Sequence, residues 1–135
     1  MADWSDVRAL ALALPETAER TSRGSLQWVV RARGFVWERP LRRADLAHLG
    51  DRAPAGPLLG AYVPDLGVKE ALLADDPAVY LTTPHFDGYP VVLARLEVIG
   101  PEELAELVTE AWLCRAPTRL ARAHLATHPP EDLSP

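Results

Sequence analysis

The sequence contains one cysteine and no long apolar run, and each scarcity excludes a class of protein. A single thiol, Cys114, cannot form an internal disulfide, a cysteine-rich zinc site or an iron–sulfur cluster. Because no stretch of about 18 apolar residues is present, no membrane-spanning helix is expected. The first residues lack the cationic and apolar segments of a secretory signal, so we expect a cytoplasmic protein.

The remaining composition is that of one globular domain. The chain has 135 residues, of which 48% are apolar and 24% are charged, and single domains commonly have about this length. We expect one domain over residues 1–126. The proline-rich stretch 127–135 is predicted to be a flexible tail.

The charge balance opposes simple nucleic-acid binding. There are 14 Lys and Arg residues against 19 Asp and Glu residues, giving a net charge of −5. Because the overall field repels phosphate, any contact with nucleic acid must be local. Residues 31–52 provide such a region, with six arginines against three carboxylates, whereas every charged residue between 101 and 110 is a glutamate.

The periodicity of apolar residues predicts helices and runs of strands. Helices are expected over 4–14, 66–74, from 101 onward and over 117–126, and strands over 25–31, 35–39, 58–63, 79–81 and 91–98. Asp65 can cap the second helix, and the spacing of Leu104, Val108 and Ala111 gives the third an apolar face. The first two strands form a hairpin that turns at residues 32–34, and alternation places Phe35 and Trp37 on one face. Residues 16–24 and 82–90 are predicted loops, and 41–57 an irregular surface excursion. Strands joined by hairpins favour an α+β fold with an antiparallel sheet.

Arginines cluster around the predicted hairpin, where Trp28 and Trp37 also lie. Cations interleaved with aromatic rings can bind phosphates and stack on bases. The alternative is a solvated hairpin tip with tryptophans in the core. The candidate phosphate contacts are Arg31, Arg33, Arg39, Arg42 and Arg43.

A second hypothesis is a pocket for a small apolar or aromatic ligand, because such sites are mostly apolar with a few polar groups. Its candidate lining residues are Trp28, Trp37, Tyr80, His85, Tyr89 and Trp112. His85 could also serve in acid–base chemistry with Asp87, or simply anchor its loop. A third hypothesis is an interaction domain that dimerises through a sheet edge or a C-terminal helix.

No phosphate-binding glycine loop, nucleophile elbow or paired-carboxylate signature is present. Cys114 is interpreted as a structural thiol, and the histidines do not fall at metal-ligand spacing on a predicted element. We therefore expect a protein that is not an enzyme and that needs neither metal nor cofactor.

Two segments carry a family resemblance. Residues 82–90 read Thr-Thr-Pro-His-Phe-Asp-Gly-Tyr-Pro, and residues 111–120 read Ala-Trp-Leu-Cys-Arg-Ala-Pro-Thr-Arg-Leu. With these segments, and with fits at 6–15 and 69–77, the chain resembles the MmcQ/YjbR-like family of small bacterial proteins over residues 4–125.

The resemblance implies an α+β "double wing" fold with a frataxin-like arrangement, in which an N-terminal helix and two C-terminal helices accompany the antiparallel sheet. It also implies DNA binding, and it supplies no catalytic residues. The combined expectation is a non-enzymatic DNA-binding protein that contacts phosphates through the five arginines, with small-molecule binding as the alternative.

Overall fold

The computed structural model describes residues 2–127, which form five helices and a six-stranded antiparallel sheet. The α+β prediction is confirmed. The strands lie in the order β1-β2-β3-β4-β6-β5. The elements are α1 (Trp4–Leu12), β1 (Thr17–Ser22), β2 (Ser25–Val30), β3 (Arg33–Glu38), α2 (Arg43–Leu49), β4 (Leu58–Tyr62), α3 (Leu66–Asp75), β5 (Tyr80–Leu81), β6 (Val91–Arg95), α4 (Pro101–Arg115) and α5 (Thr118–Thr127), with short 3-10 turns at Gly50–Arg52 and Pro84–Phe86.

Several boundaries differ from the prediction by a few residues. The first helix ends at Leu12 rather than at residue 14, and β6 ends at Arg95 rather than at residue 98. Asp65 caps α3 as predicted, because its Oδ1 accepts a hydrogen bond from the Val68 backbone N–H at 2.8 Å. Only Thr127 of the predicted flexible tail is described, as the last residue of α5, and 128–135 lie outside the described residues.

The predicted loop 16–24 is wrong, because it contains the edge strand β1. This strand pairs with β2 along its full length, from Thr17 opposite Val30 to Ser22 opposite Ser25. Its residues are mostly polar and exposed, so the alternation that identifies a half-buried strand is missing. Arg23 and Gly24 both have positive φ, 52° and 83°, as a two-residue type I′ turn requires.

The turn between β2 and β3 is also displaced from its predicted position. It is formed by Arg31 and Ala32, which have positive φ values of 46° and 70°, and Gly34 lies inside β3. A β-bulge follows, because Trp28 pairs with Val36 while Val29 pairs with Gly34, leaving Phe35 as the extra residue.

The bulge decides which face of the sheet each aromatic ring occupies. Phe35 and Val36 are both fully buried in the main core, beneath the helices. Trp37 instead packs with Phe86 and Tyr62 in a separate cluster. The prediction that Phe35 and Trp37 share one face is therefore wrong.

The main core lies between one face of the sheet and helices α1 and α4. Trp28 and Trp112 are fully buried there. Each indole N–H finds an acceptor, Glu19 Oε1 at 3.0 Å for Trp28 and the Pro15 carbonyl at 3.1 Å for Trp112. These contacts satisfy the polar edge of rings whose remaining surface is apolar.

The opposite face of the sheet carries a second, smaller hydrophobic cluster. Phe86 from loop 82–90 packs there with Leu58, Val91 and Leu93. Lys69 fixes this loop, since its buried Nζ donates to the Phe86 and Tyr89 carbonyls at 2.7 and 2.9 Å. Burial lowers the pKa of Lys69 from its ordinary value, and the charge of Asp87 acts in the opposite direction. Along β1 the side chains stay exposed, whereas Val29 on β2 is buried.

The segment 41–57, predicted to be irregular, contains α2, and a buried ion pair joins that helix to the end of β3. The Arg39 guanidinium contacts Asp45 Oδ2 at 2.9 Å, and their side chains are 5% and 4% exposed. The same carboxylate oxygen accepts the Arg42 backbone N–H at 2.9 Å. Arg39 also lies over the Phe86 ring, 5.4 Å from its centroid. Its guanidinium is therefore engaged within the fold, and its role as a phosphate contact stays a prediction.

Replacing Asp45 with asparagine is expected to lower the free energy of unfolding by about 3 kcal/mol, because it leaves the buried Arg39 charge unpaired. Urea denaturation measures the change. The control Asp51→Asn removes an exposed carboxylate from the same segment and should change stability by less than about 0.5 kcal/mol. Equal effects of the two substitutions would contradict a stabilising role for the buried ion pair between Arg39 and Asp45.

The loss of unfolding free energy caused by Asp45→Asn is expected to become smaller at low pH. Burial raises the pKa of Asp45, but the Arg42 N–H and the Arg39 guanidinium outweigh it, and the net pKa lies below the ordinary value. The native state then binds fewer protons than the unfolded chain, so this stabilisation is complete above about pH 5 and is lost as pH falls through the lowered pKa. If the difference in unfolding free energy between the wild type and the variant stayed constant from neutral pH to pH 3, this linkage would be contradicted.

Gly60→Ala is expected to destabilise the protein by about 1–3 kcal/mol through overpacking. Gly60 lies opposite Trp37 in the β3–β4 pair, and a Cβ atom on it would approach Trp37 Cε2 to 2.4 Å. A double-mutant cycle with Trp37→Leu isolates the clash. In the Trp37→Leu background, Gly60→Ala should lower the free energy of unfolding by clearly less. An equal loss in both backgrounds would show that the strain does not come from contact with Trp37.

Candidate ligand-binding surfaces

The five predicted phosphate-binding arginines do not form one patch. Because β2 and β3 run antiparallel, Arg31 and Arg33 lie at the turn that joins them, while Arg39, Arg42 and Arg43 follow the far end of β3. Six strand residues at about 3.3 Å each separate the two groups by roughly 20 Å. The sequence cluster is therefore divided between the two ends of the hairpin.

The two groups also differ in how free their charges are. Arg31 is engaged by Glu16, with Nε and Oε1 at 2.6 Å, and Arg33 is exposed. At the other end Arg39 is buried, but Arg42 and Arg43 are exposed and form no ion pair within the described part of the chain. The free cations at this end are the ones available to an anionic ligand.

Arg23 joins Arg42 in a cleft of about 420 Å³ on the face of the sheet that carries the smaller hydrophobic cluster. We call this cleft, lined by Ser22, Arg23, Ser25, Leu26, Gln27, Trp37, Glu38, Arg39, Pro40, Arg42, His85 and Phe86, the cationic cleft.

Three elements build the cationic cleft. The tight turn after β1 presents Arg23, the bulge in β3 turns Trp37 toward this face, and the 3-10 turn at Pro84–Phe86 supplies His85. Arg20 lies on the same face and donates from its Nε to Gln27 Oε1 at 2.8 Å. Glu38 is held inward, because its Oε1 accepts the Leu26 backbone N–H at 3.0 Å.

Sequence reasoning missed Arg23 because residues 16–24 were interpreted as a loop. The available signal was the Arg23-Gly24 dipeptide, since glycine in a two-residue connection indicates a hairpin turn. Recognising that turn would have paired Arg20 with β2 and placed Arg23 at the connection between the two strands.

The six aromatic and histidine residues proposed for a ligand pocket are dispersed. Trp28 and Trp112 are fully buried in the main core. Trp37 and His85 line the cationic cleft, and Tyr89 is 60% exposed. Tyr80 is alone among the six in lining a separate groove that is larger than the cationic cleft. No single pocket brings these side chains together.

That groove has a volume of about 960 Å³ and lies between α3 and α4. Its walls combine apolar side chains with four glutamates of α4. We call it the acidic groove, and it is lined by Val63, Pro64, Val68, Leu72, Tyr80, Gly100, Pro101, Glu102, Glu103, Glu106, Leu107 and Glu110.

The charges are unevenly distributed along the chain, so the acidic groove and the cationic cleft are built from segments of opposite net charge. Residues 65–115 hold ten carboxylates against three cations, whereas residues 1–64 hold seven carboxylates against nine cations. Helices α3 and α4 belong to the first range, and strands β1–β3 to the second. Because charges more than about 10 Å apart are largely screened in salt, the side chains that line each surface affect a ligand there more than the net charge does.

Cys114 and the metal-ligating residue types show no reactive arrangement. Burial first, and then Glu110, raise the pKa of Cys114 to about 11, so its thiol is protonated at neutral pH. Within residues 2–127 no group of three or more His, Cys, Asp or Glu side chains is placed to hold a metal ion. In the same range no helix is long and apolar enough to cross a bilayer.

Comparisons with known proteins agree on the family and the fold. The YjbR family profile matches residues 12–114. The uncharacterized proteins Mb2600 of Mycobacterium bovis and Rv2570 of Mycobacterium tuberculosis are each 50% identical to this chain over 129 residues, covering 93% of it and 98% of the relative.

A solved structure shares the architecture. The Deinococcus radiodurans protein DR2400, with its DUF419 domain, superimposes with a TM-score of 0.63 at 18% identity, covering 84% of this chain and 78% of that one. This similarity shows the fold. Taken with the profile match and the mycobacterial relatives, it shows that the chain belongs to the YjbR family.

Proposed function

We propose that this protein is a non-enzymatic DNA-binding protein that contacts the sugar-phosphate backbone through the cationic cleft. The observation that carries the proposal is the convergence of Arg23 and Arg42 on one cleft beside the Trp37 ring. Neither guanidinium has a carboxylate partner among residues 2–127. Unpaired arginines beside an aromatic ring are suited to phosphate and base contacts.

The chemistry of the cleft suits a phosphodiester. A guanidinium presents paired N–H donors that match two phosphate oxygens, and the hydroxyls of Ser22 and Ser25 add neutral donors on the same wall. Arg43 lies exposed beside Arg42 at the start of α2. The proposed contact set is therefore Arg20, Arg23, Arg42 and Arg43, arranged around Trp37 and His85.

This contact set revises the one predicted from sequence. Arg42 and Arg43 keep their proposed role, and Arg20 and Arg23 replace Arg31 and Arg33, which lie at the opposite end of the hairpin. Arg39 has a structural role at the cleft, because its ion pair with Asp45 joins α2 to the end of β3. The net charge of −5 does not oppose local binding, since most of the excess carboxylates lie in residues 65–115.

A binding role also fits the titratable groups best. The Cys114 thiol is too basic to be a thiolate nucleophile at neutral pH. His85 is exposed, and its contact in the structure is the edge of the Phe86 ring, 4.8 Å between centroids. An acid–base catalyst needs an orienting partner, and the observed contact is apolar instead.

The test is fluorescence anisotropy of a short labelled DNA, as duplex and as single strand, over a series of salt concentrations. We expect binding at low salt and a steep loss as salt rises. Arg23→Ala combined with Arg42→Ala should weaken binding to the duplex and reduce the slope of log K against log salt by about 1.8, the value for two lost phosphate contacts.

The matched control is Arg31→Ala combined with Arg33→Ala, which removes the same charge from the other end of the hairpin. It should leave the affinity and the salt slope close to those of the wild type. Equal losses for both double variants would show that overall charge, not the cleft, controls binding. Absence of binding even at low salt would overturn the proposal.

A further inference from the structure

We propose that the acidic groove is a second binding site, independent of the DNA-binding surface, for a lipophilic organic cation: a small molecule with apolar rings or chains and one positive charge. The groove has a volume of about 960 Å³, at the upper end of the range usual for small-molecule sites. The proposed DNA contact does not explain this groove. Its lining belongs to α3, to α4 and the residue before it, to Tyr80 at the start of β5, and to residues 63–64 after β4.

The floor of the groove supplies apolar contact area. Val63, Tyr80 and Leu107 are almost fully buried beneath it, at 3%, 3% and 5% exposure. Val68 and Leu72, on the facing side of α3, are half-buried and line the groove without being covered. An apolar ligand part resting on these side chains would remove their remaining surface from water, at about 25 cal/mol per Å².

The wall of the groove supplies one sign of charge. Glu102, Glu106 and Glu110 follow one another at four-residue intervals along α4, so they lie on one face of the helix. Glu103 stands beside them and accepts a hydrogen bond from the Tyr80 hydroxyl. No arginine or lysine lines the groove.

These carboxylates are not neutralised by neighbours in the described chain. None of the four forms an ion pair within residues 2–127. Like charges four residues apart destabilise a helix. Glu102 and Glu103 are offset by the favourable field of the helix N-terminus, which fades within one turn. Glu106 and Glu110 lie beyond that turn, so their repulsion is left for a bound cation to relieve.

The glutamates of α4 shift the pKa of Tyr80, which lines the groove, and of Cys114, which lies one helical turn after Glu110. Burial chiefly, and then Glu103, Asp76 and Glu106, raise the pKa of Tyr80. Glu110 likewise adds to burial in raising the pKa of Cys114. The same field that disfavours a phenolate or a thiolate favours a cation in the groove.

A lipophilic organic cation fits both the apolar floor and the negatively charged wall better than the other candidate ligands do. A metal ion would leave the apolar floor unused, and within the described residues no side-chain cluster is placed to hold one. An apolar anion would be repelled by the four glutamates. A neutral apolar molecule would gain the floor contacts but would leave the charge repulsion on α4 unrelieved.

The test uses tetraphenylphosphonium and tetraphenylborate, two ions of nearly the same size and shape and of opposite charge, titrated into the full chain by calorimetry. We expect the phosphonium to bind and the borate not to bind measurably. Amide shifts in an NMR spectrum should locate the phosphonium at Val68, Leu72 and Leu107. Equal binding of both ions, binding of neither, or shifts located elsewhere would overturn the proposal.

Glu106→Gln combined with Glu110→Gln tests the charge contribution and should weaken phosphonium binding about five- to tenfold, as expected for the loss of two partly exposed ion pairs. The same variant should unfold at a slightly higher temperature, because it relieves repulsion on α4; this shows that the affinity loss is not a folding defect. The control, Asp51→Asn combined with Glu97→Gln, removes two exposed carboxylates outside the groove. An equal loss in the control would show nonspecific attraction and contradict the proposal.

Discussion

The organisation of this protein depends on the unequal covering of its sheet. Helices α1 and α4 bury one face, where Trp28 and Trp112 complete the core. The other face carries a smaller cluster in which Phe86 of loop 82–90 packs with Trp37 and with side chains of β4 and β6, and Lys69 fixes that loop through two carbonyl oxygens. This cluster does not extend over β1, whose side chains are exposed. The cationic cleft lies at its border, where Trp37 and Phe86 line it.

The two proposed surfaces follow from where the chain places its charges. Arginines gather on the outer strands and the segment after β3, while glutamates gather on α4. Placing these groups on different elements allows an acidic protein to offer a cationic cleft. It also leaves a groove whose carboxylates have no cation beside them in the described structure. Each surface pairs its charge with an aromatic or apolar contact, Trp37 in the cleft and Leu107 in the groove.

Sequence reasoning predicted the elements with strong periodicity and missed those held mainly by backbone pairing. The spacing of Leu104, Val108 and Ala111 identified α4, and Asp65 identified the start of α3. The edge strand β1 gave no alternation, because almost all of its side chains are exposed. The bulge at Phe35 left no mark in the residue pattern, yet it determines the face on which Trp37 lies.

The candidate site was predictable only in part for the same reason. A cluster of arginines in sequence does not state which are paired or buried, and the charges of Arg31 and Arg39 are engaged by Glu16 and Asp45. Arg23 enters the proposed surface through a strand pairing that composition did not reveal. Likewise, the glutamates of α4 were visible as a run, but the groove beneath them depends on how α3 packs beside Tyr80.

The most direct test of the central claim is to map DNA contact on the protein by NMR, following backbone amides and the Trp37 indole N–H during titration with a short duplex. The account predicts that the largest shifts cluster at Arg23, Trp37, Arg42 and His85, with the residues of the acidic groove unchanged. Shifts concentrated at the Arg31–Ala32 turn or along α5, or no shifts at low salt, would contradict it.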